Sequence, residues 1–224
     1  MYLRLDDFPN GDLAIHNEWC KYIRKPHFKL LKPILEIINE SKVEYILGVS
    51  PELCDLDDVK FLNDNLISGK AVIHGFNHGW NYEWSKITDI WPKGGEFSLL
   101  SKQEISDKYK RALDFFSLIE RVNLEEFIPP FNCYNQDLLD VLSENKVKVI
   151  HGCSKEHENY NLAALNHHGI EQRISEWQKT YCDIDKVVNY ASYPSQITLH
   201  WIYDVNRRDY LSHYGTLCSL IYNK

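Results

Sequence analysis

The sequence predicts an α/β fold built on a parallel sheet, either open or closed into a barrel. Three observations carry this. Short apolar runs of strand length alternate with longer stretches of helical periodicity along the chain. Regular alternation of that kind builds parallel sheets. The side chains best suited to chemistry fall at the ends of the apolar runs, where α/β folds bind their ligands. No internal repeat, low-complexity tract or composition break divides residues 1–224, so one domain is expected.

The first strand is expected in YLRLD, running into Asp6-Asp7 and the turn-like Phe-Pro-Asn-Gly. Phe28, Leu31, Leu35 and Ile38 recur at helical spacing and place a helix after it. VEYILGV, ending before Pro51, reads as the second strand and AVIHG, ending at Gly75, as the third. The longest helix opens at Ser101-Lys-Gln-Glu104, a capping box in which each side chain satisfies a free backbone donor. Its apolar face is expected to comprise Ile105, Tyr109, Ala112, Leu113, Phe116 and Ile119. EFIPP, ending at Pro130, is the fourth strand, and Asn135 caps a helix carrying Leu138, Leu139 and Leu142. VKVIHG and SQITLHWIY supply a fifth and a sixth strand. Tyr210, Tyr214 and Tyr222 mark a last helix that packs on the sheet or on a partner subunit, so an oligomer is possible.

Composition narrows the function. The 224 residues are 44% hydrophobic and 25% charged, an ordinary globular balance that excludes disorder. A net charge of −7 with scattered Lys and Arg argues against a nucleic-acid surface, which needs clustered cations. No run of about 18 apolar residues could span a bilayer, and no basic-then-apolar signal precedes the first strand, so a cytoplasmic protein is expected. Its six cysteines form no C-x-x-C and read as reduced, mostly buried thiols.

The chemistry concentrates at two strand ends. Asp7 with His74 and His78 offers one carboxylate and two imidazoles, a ligand set that zinc or a similar divalent ion accepts while leaving a position for water. Asp6 is then spare. Such an ion acidifies water and a nearby carboxylate takes the proton, which is what hydrolysis requires.

These residues resemble the polysaccharide deacetylases of the NodB-homology group, the carbohydrate esterase 4-like proteins. Leu5-Asp6-Asp7 is similar to that family's first motif, and His74-Gly75-Phe76-Asn77-His78 to its second. Ile128-Pro129-Pro130-Phe131-Asn132 and Thr198-Leu199-His200 are similar to its third and last. Order and separation agree from Leu3 to about Tyr203. The resemblance implies an irregular (β/α) barrel of about six to seven parallel strands. It also implies a divalent metal, zinc first, on Asp7, His74 and His78, with Asp6 as base and His200 as general acid. A backbone N–H in the Pro130, Phe131, Asn132 loop, that of Phe131, would stabilise the oxyanion. The implied reaction removes an N-acetyl group from an amino sugar, in a surface-polysaccharide precursor or a glycan.

Three departures accompany the resemblance. Ile128 stands where the family has an arginine that orients the base, and Arg4, two residues from Asp6 on one strand face, is the replacement. Glu176-Trp177 stands in for an Asp-Trp element, and Trp201 follows His200 where an acid is frequent. Trp80 and Trp84 are candidates for stacking on sugar rings, with Glu96 to bind a hydroxyl or amine and Trp177 beside them. Two other readings stay open: a catalytically silent carbohydrate- or metal-binding relative, and a metal-dependent amidase or esterase acting on a non-sugar substrate.

Overall fold

A computed structural model describes residues 2–9, 27–79, 95–97, 100–130, 134–151, 163–164, 196–199 and 210–222. In chain order these form β1 (Tyr2–Phe8), α1 (His27–Glu40), β2 (Tyr45–Val49), α2 (Leu56–Asn65) and β3 (Gly69–His74). They continue through α3 (Lys102–Phe116), β4 (Val122–Ile128), α4 (Gln136–Glu144), β5 (Val149–Ile150), β6 (Ala163–Ala164), β7 (Gln196–Leu199) and α5 (Tyr210–Tyr222). The strands make one seven-stranded sheet in the order β6-β5-β4-β3-β2-β1-β7. Every pairing is parallel. The chain starts in the sheet, steps outward strand by strand, and returns to the other side of β1 with β7. Among the described residues no pairing joins β6 to β7, so the barrel-type sheet stays open on that side.

Alternation along each strand divides the core in two. Leu3, Leu5, Leu47, Val49, Ala71, Ile73 and Phe127 face outward and are buried under the helices. Leu31, Leu35 and Ile38 of α1, Ile105, Tyr109 and Phe116 of α3, and Leu138 and Leu142 of α4 meet them there. Each large side chain so buried contributes roughly 1.5–3 kcal/mol. The inner face carries a much smaller apolar cluster of Ile46, Val72 and Ile128. Beside that cluster the interior is polar, because Arg4, Asp6 and His74 are all buried there.

Helix ends follow the expected chemistry. Ser101 and Glu104 form the capping box of α3, and Asn135 accepts from Leu138 N at 2.9 Å to cap α4. Asp55 and Asp58 make a second box at α2. Ile119 corrects the expected extent of the long helix. It is buried, but from the turn after α3, which stops at Phe116. β4 begins at Val122, ahead of the expected segment, because its first five residues are half-buried or, at Glu125, exposed and lack the apolar signature of a core strand. β6, two alanines, gave no sequence signal. Cys54 and Cys218 are free thiols, Cys218 buried. Among the described residues no helix is long and apolar enough to cross a membrane.

Candidate metal centre

A regular strand would send Asp6 and Asp7 to opposite faces of the sheet. Here the β1–β2 register passes from Leu5↔Leu47 to Phe8↔Val49, so both aspartates oppose Gly48 alone. This is a β-bulge, and its second residue, Asp7, has φ 69°. Aspartate tolerates the left-handed region better than most residues, although holding it there still costs about 1–3 kcal/mol. The bulge turns the Asp7 carboxylate toward the end of β3. Its Oδ1 lies 3.2 Å from His74 Nε2 and 3.1 Å from His78 Nε2.

The two histidines are brought together by a sharp reversal after β3. Gly75 and His78 both take positive φ, 61° and 52°, which stacks the imidazoles edge to face with centroids 4.7 Å apart. A Cβ on Gly75 would lie 2.3 Å from Pro130 Cγ, so only glycine lets the chain pass that proline. His74 Nδ1 is 3.1 Å from the Ile128 carbonyl oxygen. A carbonyl can only accept, so Nδ1 carries a hydrogen, and in the neutral ring this leaves the Nε2 lone pair on the Asp7 side, free to ligate a metal.

One carboxylate oxygen and two imidazole nitrogens thus converge at a buried point, Asp7 4%, His74 2% and His78 5% exposed. Lone pairs facing one another in a dry site repel unless a cation, a metal ion or a proton, lies among them. Tetrahedral bonds of 2.0–2.1 Å would set such ligand atoms about 3.3 Å apart, close to the carboxylate–imidazole separations found. Donor chemistry, spacing and tautomer all fit a divalent ion. Among the described residues this is the one group of three side chains able to hold a metal.

Asp6 points elsewhere. Arg4 Nε donates to its Oδ1 at 2.6 Å and Arg4 Nη2 donates to Oδ2, with both side chains 1% exposed. Gly48 sits beneath: a Cβ there would lie 3.1 Å from both Asp6 Oδ1 and His74 Cβ. The glycine therefore leaves room for Asp6 and His74 on the same face. Ser50 Oγ donates to the His74 carbonyl at 2.7 Å and fixes the end of β3. Neither residue was singled out from the sequence, where Gly48 looks like any strand glycine.

Ile128 lies in register with His74, its side chain in the apolar inner cluster. Pro130 is buried against the Gly75 turn. Glu96 lies beside the same turn, but its carboxylate accepts from Phe76 N and Asn77 N rather than pointing outward as a sugar-binding group. The structure also places a buried His151 at the end of β5, its Nε2 2.7 Å from Glu126 Oε2, a pair unforeseen in the sequence. His200, Phe131, Asn132, Trp80, Trp84 and Trp177 lie outside the described residues.

No protein-family model and no curated protein sequence matches the chain. Solved structures do. A family 4 carbohydrate esterase from Streptomyces lividans in complex with acetate superposes with a TM-score of 0.56 at 12% identity, covering 99% of this chain and 86% of that one. A family 4 carbohydrate esterase from Bacillus anthracis gives 0.52 at 13%, covering 97% and 73%. A family 4 pseudoenzyme from the same organism gives 0.56 at 13%, covering 99% and 60%. The chain has the fold of the family 4 carbohydrate esterases.

Proposed function

We propose that the chain is a metal-dependent carbohydrate deacetylase that hydrolyses an N-acetyl group on an amino sugar, releasing acetate and a free amine. The observation that carries this reading is the convergence of Asp7, His74 and His78 beside a buried, arginine-held Asp6 on a fold shared with carbohydrate esterases. A divalent ion on those three ligands, zinc first, would lower the pKa of water and polarise the acyl oxygen.

Asp6 takes the proton of the attacking water. Arg4 holds its carboxylate by two donated hydrogen bonds, an arrangement that favours the ionised, proton-accepting form. The water oxygen bonds to the acyl carbon and the carbonyl becomes an oxyanion; as this tetrahedral adduct collapses, the carbon–nitrogen bond breaks and His200 protonates the departing nitrogen. The Phe131 N–H, in the loop with Pro130 and Asn132, donates to the developing oxyanion. Trp80, Trp84 and Trp177 stack on the sugar, whose natural source is a surface-polysaccharide precursor or a glycan.

The equal fold likeness to an esterase and to a pseudoenzyme keeps a silent carbohydrate-binding relative as the second reading. Arg4 is what argues against it, since the site retains an arginine on its base despite Ile128. The test is acetate release from N-acetylated sugars by the purified chain with zinc, cobalt or nickel added. Metal-stimulated release that Asp6→Asn abolishes supports the enzyme. Bound metal and glycan with no turnover of any amide or ester supports the silent relative. Turnover confined to non-sugar amides or esters would move the substrate class.

A further inference from the structure

We infer that Glu96 is a positioning residue for the metal centre, a carboxylate latch that sets the loop between His74 and His78 and so tunes how tightly the ion is held. The inference rests on the reading of Asp7, His74 and His78 as metal ligands.

The loop must reverse direction within a few residues while keeping two imidazoles on one point. It makes no ladder of its own, so every backbone donor in it needs an outside partner. Gly75 N donates to the Ile128 carbonyl at 3.1 Å, and Gly79 N donates to Asn77 Oδ1 at 2.9 Å. Two successive donors between them go to Glu96: Phe76 N donates to Oε2 at 2.9 Å, and Asn77 N donates to Oε1 at 3.2 Å. Two successive N–H groups on one carboxylate form an anion-binding nest, filled here by the protein's own side chain. The Phe76 carbonyl is fixed as well, accepting from Glu52 N at 2.8 Å.

The latch is itself anchored. Phe97, the next residue, packs edge-on against Phe76 with ring centroids 5.6 Å apart. The Phe97 carbonyl accepts from Asn135 Nδ2 at 2.7 Å, from the same asparagine that caps α4. Glu96 is thereby tied to a helix start on one side and to the metal loop on the other. Gly75 provides the passage, since a Cβ there would meet Glu96 Oε2 at 2.4 Å. Burial raises the pKa of Glu96, against the bonds from Phe76 and Asn77 and the charge of Lys108, which fits a group committed to the interior rather than to solvent.

Groups that orient metal ligands without touching the metal typically change affinity by about 10–100-fold when removed. The test is a cobalt(II) titration of the full chain, read by the visible absorption of the bound ion, for the native protein, Glu96→Gln and Glu52→Gln. Glutamine keeps one acceptor oxygen but turns an amide donor toward the two N–H groups. Glu52→Gln removes a neighbouring carboxylate that pairs with Lys108 and Arg111 but keeps the Glu52 N–H to the Phe76 carbonyl. Glu96→Gln is expected to weaken cobalt binding about 10–100-fold and to shift the visible bands, with Glu52→Gln within about twofold of the native protein. Amide exchange at Phe76 and Asn77, measured without metal, should accelerate in Glu96→Gln alone. Native affinity, spectrum and exchange in Glu96→Gln would overturn the latch and leave the metal site standing. A native protein that takes up no cobalt would overturn the metal reading and the latch with it.

Discussion

Arg4 and Asp6 lie on the same side of one strand, and the guanidinium of the first forks onto both carboxylate oxygens of the second. Both are buried, so each is the other's charge partner in a dry interior. Breaking such a pair by removing one member typically costs about 3–5 kcal/mol. Arg4→Met is therefore expected to lower the urea midpoint and to reduce turnover. Arg4→Lys, which keeps the charge but not the fork, should fall between Arg4→Met and the native protein. Asp6→Asn should abolish acetate release by about 10²–10⁴-fold while metal content stays at the native level. Moving the arginine to the inner face of β4, in an Arg4→Leu, Ile128→Arg double variant, should restore part of the turnover lost in Arg4→Leu alone.

Asp7 combines a carboxylate placed between two imidazoles with a left-handed backbone, φ 69°. Asn shares the tolerance for that region and Ala does not. Asp7→Asn and Asp7→Ala should both lose the bound metal, read by elemental analysis. Asp7→Ala should lose about 1–2 kcal/mol more stability than Asp7→Asn in denaturant titration. Equal stability of the two variants would show that the bulge relaxes when the side chain is removed.

Gly48 separates Asp6 from His74, with a would-be Cβ at 3.1 Å from Asp6 Oδ1 and from His74 Cβ. Gly48→Ala should destabilise the fold by about 1–3 kcal/mol, the ordinary result of overpacking. Its effect on turnover should exceed what that loss of folded protein explains, because the two groups displaced are Asp6 and His74. Turnover per folded molecule is the measurement.

Glu96 gives a pH signature. Its folded-state pKa is raised above 4.5, chiefly by burial, so between 4.5 and the raised value the native chain holds a proton that the unfolded chain has released. Stability contributed by this group is present below that window and falls as pH rises through it. Urea midpoints measured across the window should decline less steeply in Glu96→Gln than in the native protein.

Much of this was legible in the sequence because its signals were local. The capping box at Ser101 and Glu104, the Asn135 cap and the apolar run ending in His74 each announce their structure within a few residues. The convergence of Asp7 on both histidines was legible only as spacing, since the bulge that turns it inward depends on how β1 lies against Gly48 of β2. Arg4 could be matched to Asp6 by strand alternation alone. Gly48, Ser50 and the His151–Glu126 pair were not legible, because their roles are set by neighbouring strands. Glu96 was visible as a candidate, but its bonds to Phe76 N and Asn77 N were not, as backbone amides leave no mark in the residue pattern.

The most direct test is a crystal structure of the zinc-loaded chain with anomalous data at the zinc edge. The account predicts one ion per chain, bound by an Asp7 oxygen and by Nε2 of His74 and His78 at about 2.0–2.2 Å, with the Asp6 carboxylate still held by Arg4. An anomalous map with no peak among those three side chains at saturating zinc would contradict it.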